Sequence, residues 1–271
     1  MTAPSSTDEE AIEATKAPLL DHLIELRKRL IISVIAFLVC FVLCFGFAKY
    51  IYAFLTAPLA RALAGQPNHH LIYTALYETF FTYVKLGMFA ALCLSFPIIV
   101  SQLWLFIAPG LYRHERRAFL PFLAATPVLF IMGAAFVYYV MLPFAIRFFV
   151  SYETPGGHGA LGIELQAKVS EYLDFVTTLI FAFGLCFQLP VLVSLLGRVG
   201  IVSSAQLRSV RRYAIVGIVA LSAVVTPPDA FSMLSLALPL IVLYEISIWC
   251  VRLIENSRAK EDAARSAAQP P

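Results

Sequence analysis

Two glutamates set among arginines are the groups in this sequence best suited to binding chemistry. Glu25 stands in His22-Leu23-Ile24-Glu25-Leu26-Arg27-Lys28-Arg29-Leu30, and Glu115 in Pro109-Gly110-Leu111-Tyr112-Arg113-His114-Glu115-Arg116-Arg117. Each carboxylate can simply balance its neighbours, Glu25 with Arg29 at i, i+4, a kind of surface pair worth about 0–1 kcal/mol. Two carboxylates on one face can also receive a cationic ligand, bidentately where the ligand offers guanidinium groups. A third polar group is Gln188, near the centre of an apolar run. An amide at that depth either bonds a neighbouring helix, its commoner use, or lines a polar cavity.

Other chemistries find little support. Cys40, Cys44, Cys93, Cys186 and Cys250 all fall in apolar runs. Cys40 and Cys44 share a helix face, but no His or carboxylate stands in the same run to complete a metal site. His114-Glu115-Arg116-Arg117-Ala118 has alanine where a zinc-binding H-E-x-x-H motif needs its second histidine. Neither a phosphate-binding Walker A loop nor a G-x-S-x-G elbow occurs, so no cofactor and no hydrolytic enzyme is expected. A net charge of +3 from 20 basic and 17 acidic residues gives no reason to expect nucleic-acid binding.

The elements that must hold these groups are set by composition. Of 271 residues, 60% are hydrophobic and only 14% charged, and mean hydropathy is +0.82. Soluble domains carry roughly 25% charged residues, so this chain has too little polar surface for water and must be read with the bilayer as solvent. A spanning helix needs about 20 mainly apolar residues. Leu30 to Ala48, Leu86 to Ile107, Phe119 to Ile146 and Phe175 to Gly197 meet that length. Tyr213 to Val225 and Phe231 to Tyr244, parted by Thr226-Pro227-Pro228-Asp229, are shorter, each reaching about 20 Å. They suit either a re-entrant pair or two short spans joined by a tight turn.

With six spans, fifteen of the twenty basic residues fall on one side, and Lys49, Arg61, Lys85, Arg147 and Lys168 fall on the other side or at its interface. The positive-inside rule then places both termini in the cytoplasm. Arg27-Lys28-Arg29 before an apolar run resembles a leader, but the run is too long for one and is expected to stay as the first span. The expected organisation is a disordered cytoplasmic segment 1–18, a six-helix transmembrane domain 19–255 and a disordered cytoplasmic tail 256–271. Pro97, Pro127, Pro143, Pro190 and Pro239 stand inside apolar runs. Each removes a backbone donor, and together they favour a curved, concave array. The expected fold is an all-α integral membrane protein whose last two spans are short.

Three separated motifs closely resemble TatC, the multispanning subunit of the twin-arginine protein translocase. They are His22 to Leu30; Gln102-Leu-Trp104-Leu-Phe106-Ile-Ala-Pro109-Gly-Leu-Tyr112 with Glu115-Arg-Arg117; and Thr226-Pro-Pro-Asp229-Ala-Phe-Ser232 with Leu243-Tyr-Glu245. The resemblance runs from about residue 20 to residue 255. It implies a receptor in the bacterial inner membrane for signal peptides bearing an Arg-Arg pair. Single-span TatA-type and TatB-type subunits would be its partners in exporting folded proteins on the proton-motive force, and it would form a homo-oligomer within the receptor complex. By the same match, Glu25 and Glu115 contact the peptide's arginines and Gln102 and Phe106 join the recognition surface, supported by Arg27, Arg29, Arg116 and Arg117. Pro58 and Phe80 are sensitive periplasmic positions, and Asp229 lies at the periplasmic tip between spans five and six. Many relatives carry glutamate where Gln188 stands, so an anionic role at that depth is not available here. Met233 replaces a polar residue found in some relatives.

A small-solute or ion transporter is the rival reading. It would call for buried charges, matched helix breaks or an internal repeat, which the sequence does not display. Two short spans against about 30 Å of hydrocarbon also imply local thinning of the bilayer, expected to lower the barrier to cargo passage beside them.

Overall fold

In a medium without water, backbone amides must be satisfied within the segment itself, and the computed structural model meets that condition with helices. It describes residues 6–64, 70–107, 116–154, 161–225 and 230–268. In chain order the elements are α1 Ser6–Gly46, α2 Ala48–Ala62, α3 Glu78–Ile107 and α4 Arg116–Phe136, then a π-helical turn Val137–Met141 leading into α5 Leu142–Val150. After these come α6 Val169–Cys186, α7 Leu189–Val199, α8 Ser204–Ser209, α9 Arg211–Val225 and α10 Ala230–Ala268. Extended pairing among the described residues is limited to single bridges, Ile72 with Lys168 and Thr154 with Ile163.

Five stretches are long and apolar enough to cross a membrane: His22–Gly46, Glu78–Phe106, Phe122–Val150, Val169–Val199 and Met233–Lys260. The fifth run of the sequence reading is α9, with 15 residues, about 22 Å long. The sixth is not short. Its first apolar run ends at Tyr244, but the Glu245 carboxylate pairs with Arg211, and α10 continues through the mainly apolar Ile246 to Val251 as one 39-residue helix. Helix limits also pass the boundaries at 19 and 255, since α1 starts at Ser6 and α10 reaches Ala268. Alanine- and glutamate-rich flanks are good helix formers and prolong a helix already nucleated.

Prolines act at two of the breaks. Pro143 cannot donate to the carbonyl four residues back, at Tyr139, and the π-helical turn falls there. Pro190 likewise cannot serve Cys186, where α6 stops before α7 begins. Pro97 and Pro239 lie within unbroken helices. At its far end α7 closes on Gly200, whose φ of 84° suits a residue without a side chain.

The core forms around α6, where Val176 and Phe183 are fully buried, and α10, which contributes Leu236, Leu240 and Val251. Helix α1 lies along α3, and of its described side chains only Cys44 is buried. Its outward Leu38 and Val42 suit hydrocarbon and need no protein cover.

Small residues let α4 and α6 approach closely. A Cβ built on Gly133 would lie 2.9 Å from the Phe183 carbonyl oxygen, whereas one on Gly217 would meet nothing within 4 Å. Gly133→Leu is therefore expected to destabilise the protein by about 1–3 kcal/mol and lower its thermal unfolding midpoint in detergent, while Gly217→Leu leaves the midpoint unchanged.

Candidate functional site

Helical spacing gathers the first part of the site. His22, Glu25 and Arg29 follow one another at i, i+3 and i, i+4 and so share a face of α1, while Gln102 and Phe106 share a face in the last turns of α3. The two helices run antiparallel, which brings these faces together across 73 positions of sequence. One Arg29 guanidinium nitrogen donates to Glu25 Oε1 at 3.0 Å and the other to Gln102 Oε1 at 3.3 Å. The His22 ring stacks on Phe106 with centroids 4.3 Å apart.

The Glu25 and Arg29 side chains are partly buried, 31% and 25% exposed, so water screens their pairing only in part. Arg29 Nε is buried without an acceptor among the described residues, as is Trp104 Nε1 on the same helix as Gln102. The face thus combines a carboxylate held by an exchangeable guanidinium, a neighbouring amide and an aromatic plate. It can bind a cation by replacing Arg29. Among the described residues, no group of three or more His, Cys, Asp or Glu is placed to hold a metal.

The other nominated residues are distributed differently. Arg27 is exposed and outside this network. Arg116 and Arg117 open α4, whereas Glu115 and Asp229 lie outside the described residues. Pro58 is buried within α2, and Phe80 is 59% exposed near the start of α3, with its ring edge-on to Phe81. Met233 is half-buried at the start of α10. Gln188 stands at the break between α6 and α7, where Nε2 donates to the Thr126 carbonyl of α4 at 2.9 Å. Its Oε1 is buried without a donor among the described residues.

Further polar groups had no sequence signal because their partners lie far away in the chain. Glu78, at the start of α3, accepts from the Thr74 amide at 2.8 Å, the Ala75 amide at 3.3 Å and the Ser170 hydroxyl at 2.7 Å, with Lys168 at 3.7 Å. This carboxylate ties the connection before α3 to the one before α6. Lys85 of α3 pairs with Asp174 of α6 at 3.0 Å. At the opposite end, Glu255 of α10 accepts from the Ser204 amide at 2.9 Å, which docks α8 beneath the bundle.

Several long apolar helices, with their charged contacts near the helix ends, define a multi-pass membrane protein. The family model described as Sec-independent protein translocase protein (TatC) matches residues 21–239. The TatC protein of Magnetococcus marinus is 48% identical over 93% of this chain and 90% of its own length. That of Escherichia coli K12 is 39% identical over 93% and 95%. A crystal structure of the twin arginine translocase receptor TatC superposes with a TM-score of 0.74 at 38% identity, covering 86% of this chain and 99% of that one. The chain belongs to the TatC family. It is a protein translocase component, not a catalytic enzyme.

Glu78→Ala would leave two amides, a hydroxyl and a lysine without their acceptor. It is expected to lower the thermal midpoint and to open residues 161–168 to limited proteolysis, whereas Glu171→Ala, at an exposed carboxylate on α6, changes neither.

Proposed function

We propose that the Glu25 face is where this translocase receptor takes the paired arginines of a signal peptide. The single observation that carries the reading is the Glu25, Arg29 and Gln102 cluster. A partly buried carboxylate is costly to strip of its counter-ion, but an arriving guanidinium exchanges for the Arg29 guanidinium, so Glu25 is never left bare. Gln102 then receives the displaced Arg29, and the His22–Phe106 stack supplies an apolar wall for residues next to the arginine pair. Glu115, which the family resemblance nominates, is assigned to the second arginine.

The same reading sets the receptor in the bacterial inner membrane with the Glu25 end and both chain termini cytoplasmic. Helix α9 counts as a sixth, short span, and the bundle is concave. Its partners are single-span TatA-type and TatB-type subunits together with further copies of the receptor. Asp229, Pro58 and Phe80 belong to the opposite, periplasmic side.

Site-specific crosslinking of an Arg-Arg signal peptide to positions beside Glu25 and Glu115 tests the assignment. Glu25→Gln is expected to weaken binding about tenfold or more, the worth of one charged hydrogen-bonded contact. Lys-Lys peptides should crosslink poorly; equal yields from both peptides would count decisively against the assignment.

Helix α9 carries the thinning proposal alone, because α10 is long. Against about 30 Å of hydrocarbon its 15 residues fall about 8 Å short. Inserting four leucines in α9 is expected to reduce export of folded cargo in vesicles while leaving peptide crosslinking intact; undiminished export would remove the proposal.

A further inference from the structure

Five basic residues lie toward the end of the helix body opposite Glu25: Lys49, Arg61, Lys85, Arg147 and Lys168. Other helices neutralise two of them, Lys85 through Asp174 and Lys168 through Glu78. Arg61, in the last turn of α2, and Arg147, in the last turn of α5, form no ion pair with a described residue. Both line one cavity of about 170 Å³, completed by Pro58, Ala62, Tyr138, Tyr139 and Pro143.

No carboxylate lines that cavity among the described residues. Bringing two guanidinium groups to one cavity is repulsive, and arginine cannot discharge itself by losing a proton. An anion between them removes the conflict, and paired guanidinium forks match phosphate oxygens in geometry as well as charge. The wall is firm, since the Tyr138 hydroxyl donates to the Phe54 carbonyl at 2.8 Å and its ring stacks on Phe54 at 4.3 Å.

Position selects the anion's source. Arg147 lies three residues before the end of the apolar stretch Phe122–Val150, the depth of the headgroup layer. Phe144, one turn earlier, and Val140, another turn back, are 48% and 52% exposed, so an apolar strip leads from the cavity toward the bilayer interior. A space of about 170 Å³ equals the bulk volume of about six waters, room for a phosphate group but not for acyl chains. We propose that Arg61 and Arg147 form a binding site for the phosphate of an anionic phospholipid, with the acyl chains lying along Phe144 and Val140. The lipid then bridges α2 to α5 beside the π-helical turn.

Native mass spectrometry of the full-length protein, released from nanodiscs of equal parts phosphatidylglycerol and phosphatidylcholine, tests the site. The unaltered protein is expected to retain phosphatidylglycerol about tenfold over phosphatidylcholine. Arg61→Gln with Arg147→Gln should abolish the preference, and Lys49→Gln, at an exposed position outside the cavity, should not. Arg61→Lys with Arg147→Lys keeps both charges and should keep most of the preference. Equal retention of the two lipids by the unaltered protein would overturn the proposal, a result that needs no variant to fold. Displacement of phosphatidylglycerol by excess inorganic phosphate, which would mark a free-phosphate site, or an unchanged preference in a helical Gln double variant, would overturn it equally.

Discussion

Polar groups carried into the helix body need partners within the protein, because hydrocarbon offers none; hydroxyls bond their own helix one turn back, and larger groups reach other segments. That constraint runs through the whole structure. Lys85 meets Asp174, Lys168 meets Glu78, Arg211 meets Glu245, and the Gln188 amide meets the Thr126 carbonyl. Each of these joins segments distant in sequence, so pairing the charges also locks the helices into register. Removing water leaves few ways to satisfy such groups, which makes a handful of contacts decisive where a soluble protein would spread the task over its surface.

The candidate binding face uses the same constraint at its edge. Glu25 and Arg29 lie where α1 leaves the apolar region, half-shielded from water, and they satisfy each other when no ligand is bound. A resident guanidinium therefore orients the carboxylate while also donating to Gln102. Arg61 and Arg147, at the far end, form no ion pair with a described residue.

Much of this was readable in the residue order. The four long apolar runs lie almost wholly in helices, two of them interrupted near prolines, since length and hydropathy alone decide whether a segment prefers lipid. Glu25, Arg29, Gln102 and Phe106 were nominated by motif, and helical spacing placed each pair on a common face. The length of α10 was misjudged because a charge reads as the end of an apolar run; only its pairing with Arg211 reveals that the helix continues past Glu245. Glu78 escaped notice for a related reason. Its contacts with the Thr74 and Ala75 amides are local, but those with Ser170, 92 positions away, and Lys168 are encoded by no local pattern.

The residue order by itself determined the class of protein, the number of long membrane helices to within one, and the family. These follow from quantities that act locally or by summation: hydropathy over some twenty residues, and backbone donors lost at proline. Only the tertiary structure decided which polar groups share an environment. It joined Arg29 to Gln102, set Glu78 against Lys168, turned Gln188 toward α4, and brought Arg61 and Arg147 to one cavity. Such contacts depend on how helices cross and face one another, a geometry set by packing across the whole bundle.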